Sequence, residues 1–138
     1  MPSGEIVPGS KKIDKLISNI EDGDIKIPPF QRGFVWGKDK IKSFLDSIYN
    51  NYPIGSILLW SSKENIKSPR NIGGFLLPER EPDYPVSYVL DGQQRLTTIY
   101  GVFCKNRRQD PQNDKNADAG LFDIYFDLDD EEFYIMMS

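Results

Sequence analysis

The sequence contains no histidine and only one cysteine, Cys104. A single cysteine cannot form an intrachain disulfide, and without histidine a structural zinc site of the usual Cys/His kind is excluded. The same absence excludes a Ser-His-Asp triad, a Cys-His pair and a histidine-containing nuclease centre within this chain. Cys104 falls in the third turn of a predicted helix, where we expect a small core residue rather than a reactive thiol.

Long apolar runs are absent as well. No stretch approaches the roughly 20 apolar residues that span a bilayer. Residues 1–9 show no charged region followed by an apolar stretch, so no secretory signal is predicted. We therefore expect a cytoplasmic protein without a membrane partner, with a loose N-terminus over residues 1–9. The Gly-x-x-x-x-Gly-Lys-[Ser/Thr] pattern of a P-loop does not occur either.

Charge is distributed unevenly along the 138 residues, whose net charge is −4. Residues 1–108 hold 16 of the 17 basic residues and 12 of the 21 acidic ones, a balance of +4. Residues 109–138 hold the other nine acidic residues and only Lys115 as a base, a balance of −8. The first part can meet a polyanion, which the last part would repel. The length fits one domain over residues 1–138, and the abrupt acidic end suggests a fragment of a longer protein.

Hydrophobic periodicity predicts an α+β domain with a mixed sheet and about three helices. Helices are predicted from a Ser10 cap to about residue 21, over 37–50 and over 91–105. Strands are predicted over 25–27, 54–60, 88–90, 122–128 and 133–136. Residues 61–86 form a long excursion with an apolar island at 75–77, and residues 106–119 form a polar, mobile loop. Three carboxylates near the last turn could gather a divalent cation, namely Asp127, Asp129 and Asp130. An acidic hairpin turn without a metal is favoured.

The densest group of polar side chains follows the apolar strand at 88–90. We expect Asp91 at the N-cap of the next helix, because Gln94 follows at the capping-box spacing. Gly92 places no side chain in the first turn, so another group can approach the backbone there. Helix N-termini attract anions, and Arg95, one turn in, can reach back toward such an anion. The local pattern leaves two interpretations open: a phosphate site, or an ordinary capped helix with solvated polar side chains.

Residues 30–36 place one amide, Gln31, and one guanidinium, Arg32, among large aromatic side chains. If these residues form a regular strand, Arg32 shares its face with Trp36 and the other aromatics, because alternate residues point the same way. An arginine among apolar groups pairs with another group, lines a site, or extends its charged end to water while its stem packs in the core. For Trp36 we expect core packing rather than stacking on a ligand.

Three stretches together resemble a known family: residues 27–36, residues 52–60 and the Asp-Gly-Gln-Gln-Arg run at 91–95. In this order and spacing, over about residues 10–136, they resemble the N-terminal domain of GmrSD-type restriction proteins. The resemblance implies a fold similar to the ParB and sulfiredoxin superfamily. It also implies the nucleotide-binding and hydrolysing half of type IV, modification-dependent restriction and phage-defence systems. The nuclease half of such systems contains histidine, so it would lie in another domain or another chain.

The resemblance further implies which residues form the site. The nucleotide pocket would lie at residues 91–95, with Gln31 and Arg32 approaching from the earlier segment, and Asp91 would bind Mg²⁺, orient the attacking water or only cap the helix. The implied catalytic residues are Asp91, Gln94 and Arg95; the implied nucleotide-binding residues are Gln31, Arg32, Gly92, Gln93, Thr97 and Thr98.

The expected function is that of a regulatory domain that binds and hydrolyses a nucleoside triphosphate with Mg²⁺. Its expected partners are the nucleotide, DNA through the full-length protein, a histidine-containing nuclease domain and a second copy in a homodimer. The alternative function is a DNA-binding module in which the same arginines contact DNA phosphates and no nucleotide is used.

Overall fold

The computed structural model describes residues 12–63, 66, 69–79, 84–104, 107–108 and 119–136. In these ranges the chain forms three α-helices: α1 Ile13–Glu21, α2 Lys38–Tyr49 and α3 Gln93–Phe103. It also forms six strands: β1 Ile25–Ile27, β2 Leu58–Ser62, β3 Arg70–Asn71, β4 Val86–Asp91, β5 Ile124–Asp127 and β6 Glu132–Ile135. Two short 3-10 turns, Ile72–Gly74 and Ala119–Phe122, complete the described elements.

Four of the strands form one mixed sheet in the order β2-β4-β1-β3. The central strands β1 and β4 are parallel, with Ile25 opposite Ser87, whereas β2 and β3 pair antiparallel at the two edges. Strands β5 and β6 form a separate antiparallel hairpin. The predicted α+β class, with three helices and a mixed sheet, is therefore confirmed. Because parallel strands end at the same edge, the chain leaves β1 and β4 at neighbouring points.

The core contains buried side chains of all three helices and of the central strands β1 and β4. The predicted apolar island contributes to it, since Phe75 packs 5.2 Å from the Tyr100 ring and Leu77 is buried. Gly101 of α3 contacts the Phe122 ring so closely that a Cβ would lie 2.5 Å from it. The other buried side chains of this cluster are Ile20, Ile25, Ile27, Ile41, Leu45, Ile72, Val89, Leu96 and Cys104.

A buried lysine ties β1 to the segment after β3. Lys26 is 3% exposed, and its Nζ donates hydrogen bonds to Asn71 Oδ1 at 2.5 Å and to the Pro78 carbonyl at 3.1 Å. Burial lowers the pKa of Lys26, while the nearby Glu79 carboxylate opposes this shift. Two oxygen acceptors thus hold the buried Nζ, and they fix residues 70–79 beside the central strand.

Several predicted boundaries differ from the structure. Strand β2 begins at Leu58 rather than at residue 54, because Gly55 has φ +85° and interrupts an extended path. Helix α1 has Lys12 at its N-cap, and the predicted cap Ser10 lies outside the described residues. Helix α3 ends at Phe103, so Cys104 follows it, buried as expected. The predicted polar loop at 106–119 lies mostly outside the described residues. No helix in the described ranges is long and apolar enough to cross a membrane.

Candidate functional site

The turn between β4 and α3 begins the helix differently from the prediction. Asp91 is still in β4, opposite Leu58, and Gly92 is the N-cap residue, in the left-handed region with φ +96°. The positive φ favours glycine, and the space is also tight, because a Cβ at Gly92 would lie 3.0 Å from Ile57 Cγ1. The capping box predicted for Asp91 and Gln94 is therefore wrong. No side chain in the described part of the chain caps α3, which leaves the N–H groups of its first turn for another partner.

Gln94 instead holds the segment that follows β1. Its Oε1 accepts hydrogen bonds from the Val35 N–H at 2.8 Å and the Trp36 N–H at 3.3 Å. Its Nε2 donates to the Gly33 carbonyl at 3.1 Å. Residues 30–37 are irregular rather than a strand, and Phe30 is 78% exposed, so the condition for an aromatic face containing Arg32 is not met. Adjacent prolines at 28 and 29 explain the irregular path, because proline fixes φ and donates no hydrogen bond.

Gln31 and Gln93 extend the same connection. Gln31 Nε2 donates to the Val89 carbonyl at 2.6 Å, and Gln93 Nε2 donates to Gln31 Oε1 at 3.2 Å and to the Arg32 carbonyl at 2.8 Å. We call Gln31, Gln93 and Gln94 the glutamine clasp. It joins residues about 60 positions apart in the sequence, across the edge where β1 and β4 both end. The three amides therefore fix the position of the backbone that carries Arg32.

Arg95 rests on a second segment, the one that precedes β2. Its Nη1 donates to the Ser56 carbonyl at 2.8 Å, and a Cβ at Gly55 would lie 2.9 Å from its Cζ. Gly55 thus makes room for the guanidinium. Gly55 and Ser56 were not predicted from the sequence as part of the site. The available signal was a glycine inside a predicted strand, which often marks the close approach of another group.

These segments enclose a cavity of about 270 Å³. Seven of the nine residues implied by the resemblance to GmrSD-type proteins line it, namely Gln31, Arg32, Asp91, Gly92, Gln93, Gln94 and Arg95, together with Trp36 and Leu90. The other two, Thr97 and Thr98, do not line it, because both are completely buried. The Thr98 hydroxyl donates to the Gln94 carbonyl at 2.9 Å, one turn back in the helix.

The charged side chains of this cavity remain available to bind a ligand. Arg32 and Asp91 are exposed, and neither side chain forms a hydrogen bond or ion pair with any residue that the structure describes. Arg95 uses one nitrogen on Ser56 and keeps further N–H donors. The cavity therefore offers two guanidinium groups and uncapped helix N–H groups to an anion, with a single carboxylate beside them.

One carboxylate beside two guanidinium groups is a set of side chains that suits Mg²⁺ bound together with phosphates. Among the described residues no three His, Cys, Asp or Glu side chains come together as a metal cage. Of the acidic residues in the described part of the chain, only Asp91 lines the cavity. Magnesium commonly takes one or two protein carboxylates and completes its shell with water and phosphate oxygens. Asp91 fits such an ion, whereas an all-protein site does not fit.

The cavity and its supporting segments lie within a stretch that matches a known family. Residues 13–136 match the family described as GmrSD restriction endonuclease, N-terminal domain. The chain belongs to this family. The resemblance found in the sequence is confirmed, and every residue of the cavity falls inside the matched stretch of this GmrSD N-terminal domain.

One relative of this GmrSD domain is an uncharacterised protein of Methanocaldococcus jannaschii. The two are 31% identical over 110 residues, which cover 74% of this chain and 18% of the relative. The chain thus spans less than a fifth of that relative's length. No solved structure matches the chain. The similarity to the ParB and sulfiredoxin superfamily therefore stays a prediction, while the α+β class itself is observed.

Proposed function

We propose that this GmrSD N-terminal domain binds a nucleoside triphosphate in the cavity beside Gly92 and hydrolyses it with Mg²⁺. The observation that carries the proposal is the pair of arginines, Arg32 and Arg95, on two segments that converge on the uncapped start of α3. Guanidinium groups match phosphate oxygens in geometry as well as charge, and a helix N-terminus adds N–H donors of the same sign.

The residues of the cavity then divide by what they contact. Arg32 and Arg95 bind phosphate oxygens, and Gly92 leaves the helix N–H groups accessible. The glutamine clasp acts as a positioning group, because the amides of Gln31, Gln93 and Gln94 are engaged with one another and with the backbone. The resemblance implied a catalytic role for Gln94. We propose instead that it holds residues 33–36 in place.

Asp91 is the group of this chain that would hold Mg²⁺. The bound ion would neutralise charge that develops on the phosphates. The exposed Asp91 carboxylate, which has no partner among the described residues, can equally accept a hydrogen bond from the attacking water. In either role the carboxylate must be accessible to the ligand, which agrees with its exposed position as the last residue of β4.

We further propose that the domain regulates a cytoplasmic restriction or phage-defence protein. The family description names a restriction endonuclease, and this chain has no histidine with which to build a histidine-containing nuclease centre. A separate nuclease domain, in the same or another polypeptide, would therefore cut the DNA. The matched relative is much longer than this chain, which leaves room for such a domain.

Isothermal titration with each of the four ribonucleoside triphosphates, with and without Mg²⁺, tests the proposal. We expect at least one to bind in a Mg²⁺-dependent manner, and Asp91→Ala to abolish that dependence. Asp46→Ala, which changes a carboxylate of α2 outside the cavity, is the matched control and should bind like the wild type. If none of the four binds to a folded sample, the pocket assignment is wrong.

The alternative, a DNA-binding module without nucleotide, predicts the opposite response to the same variant. Asp91→Ala removes a negative charge from the cavity, so DNA binding through phosphates alone would persist or strengthen. That binding would also fall steeply with salt concentration. Fluorescence anisotropy with a duplex at several salt concentrations distinguishes the two functions.

A further inference from the structure

A second cavity, of about 310 Å³, adjoins the first. Arg32 and Trp36 line both cavities, so the two share a wall. The remaining lining residues of the second cavity are Val35 and residues 37–40, at the start of α2. None of the site residues implied by the resemblance, apart from the shared Arg32, belongs to it.

Size argues that the two cavities act together. Pockets that enclose a drug-sized ligand have volumes of roughly 300–1,000 Å³. The first cavity falls just below this range and the second only reaches its lower end, whereas the pair lies well inside it. We propose that the nucleoside part of the nucleotide, its base and ribose, occupies the second cavity while the phosphates occupy the first. This inference rests on the proposed function.

The wall formed by Val35 and Trp36 suits a base. Val35 is 56% exposed, and the Trp36 ring is held edge-on against Phe44, with ring centroids 5.5 Å apart. The Trp36 N–H also bonds to Gln94, so both backbone and side chain are fixed before a ligand arrives. A fixed aromatic ring binds a base with little loss of conformational freedom, and stacking on it is independent of the base's identity.

The acidic residue of the second cavity decides which end of the nucleotide enters it. The Asp39 side chain forms no hydrogen bond or ion pair with a described residue, and its carboxylate would repel a phosphate. It would instead accept a hydrogen bond from a ribose hydroxyl or from an amino group of the base. Lys38 and Lys40 flank it and favour an anion, so a phosphate is the competing occupant that the experiment must distinguish.

Comparison of a nucleoside triphosphate with inorganic tripolyphosphate, both with Mg²⁺, provides that experiment. In isothermal titration the wild type should bind the nucleotide more tightly than tripolyphosphate, because only the nucleotide fills both cavities. Trp36→Leu and Asp39→Asn should each lower nucleotide affinity by about tenfold, the order expected from loss of one stacking or charged hydrogen-bond contact. Tripolyphosphate affinity should not fall by more than twofold in either variant, since neither change removes a group that binds phosphate.

Matched controls come from the same chain. Trp60→Leu and Asp46→Asn alter the same residue types outside both cavities and should leave both affinities unchanged. Thermal unfolding verifies that each variant is folded. If Trp36→Leu does not fold, the exposed Asp39→Asn still tests the proposal alone.

Three results would overturn the inference. The first is a wild type that binds tripolyphosphate as tightly as the nucleotide. The second is an Asp39→Asn variant whose two affinities change by the same factor or not at all. The third is a Lys38→Ala or Lys40→Ala variant that loses tripolyphosphate affinity, since phosphate would then occupy the second cavity. If neither ligand binds to the wild type, the proposed function itself fails, and a subsite for the nucleoside falls with it.

Discussion

Two turns of the molecule are dense in polar side chains: the β4–α3 turn around Gly92, and the acidic turn between β5 and β6. In the first, the exposed Arg32 and Asp91 side chains form no hydrogen bond or ion pair with described residues. In the second, four of the five carboxylates of residues 127–132, all but that of Asp129, accept from neighbouring donors. Asp127 Oδ1, for example, accepts from the Asp129 N–H at 2.8 Å and from the Asp130 N–H at 3.4 Å.

Tyrosines and a lysine complete the acidic turn. The Tyr49 hydroxyl donates to Glu131 at 2.7 Å, the Tyr134 hydroxyl donates to Asp130, and Lys42 lies 3.5 Å from Glu132. The hydrogen bond to Asp130 is the main reason that the pKa of Tyr134 is raised to about 12. The predicted hairpin turn is thus confirmed, and its carboxylates stabilise the turn itself.

The comparison teaches that polar density does not by itself mark a binding site. In the β4–α3 turn, the glutamine side chains form the hydrogen bonds to the backbone. The charged side chains therefore remain available to a ligand. In the acidic turn, four of the five carboxylates already accept from backbone N–H groups, tyrosine hydroxyls or Lys42. Four variants can break or sharpen this contrast.

Arg32→Ala should have the largest effect. Because Arg32 has no partner among the described residues, its loss should lower nucleotide affinity by about 30-fold while leaving the melting temperature within about 1 °C. Isothermal titration and differential scanning fluorimetry provide the two readouts. A drop of several degrees would show that Arg32 is structural, and the contrast between the two turns would fail.

Gln94→Ala should act mainly on stability. Its amide makes three hydrogen bonds to residues 33–36, so we expect the free energy of unfolding to fall by about 1–2 kcal/mol. Urea denaturation measures this change. Asn50→Ala, which removes one exposed hydrogen bond to the Asp46 carbonyl, is the control and should cost less. Equal effects of the two would argue against a clasp.

Gly55→Ala should disturb the seat of Arg95. The added Cβ would meet Arg95 Cζ at 2.9 Å, and φ +85° is strained for alanine, so we expect about fivefold weaker nucleotide binding and roughly 1 kcal/mol lower stability. Titration and denaturation report the two effects separately. Gly33→Ala is the control, since its nearest atom is 4.0 Å away. Unchanged binding in Gly55→Ala would remove Arg95 from the phosphate contacts.

Tyr134→Phe should show the smallest effect, and only below strongly alkaline pH. The folded pKa of Tyr134 lies above its ordinary value of 10, so its hydrogen bond stabilises the fold below pH 10 and is lost as the pH rises toward 12. The wild type should therefore melt slightly above Tyr134→Phe at pH 8, and this difference should disappear by about pH 12. Tyr125→Phe, which changes a ring stacked on Tyr134, is the control and should show no such pH dependence.

Much of the fold could be predicted because it follows from local periodicity. The apolar positions of α2 are an example: Ile41, Phe44 and Leu45 are all buried. The start of α3 could not be predicted in this way. The sequence Asp-Gly-Gln-Gln matches a capping box, but the strand continues through Asp91. Only the pairing of Asp91 with Leu58, a contact between distant residues, decides between the two.

The sequence brought forward most of the residues that line the first cavity, but not their contacts. Arg95 meets Ser56 only because β2 pairs with β4, which local patterns do not reveal. Thr97 and Thr98 were expected at the pocket because they follow Arg95 on the helix. Helix α3 is instead buried on most of its surface, between α1 and the two 3-10 turns, so even its small polar residues are enclosed.

The glutamine clasp has a consequence for how the protein unfolds. The two halves of the cavity are held together by the sheet and the clasp, so they should separate when the fold is lost. A ligand that binds only the assembled cavity then adds to the stability of the whole chain, by about 2.7 kcal/mol at a concentration 100 times its Kd. The melting temperature of the protein therefore reports how much of the cavity is occupied by ligand. A peptide of residues 88–100 alone, lacking Arg32 and Ser56, should remain unable to bind.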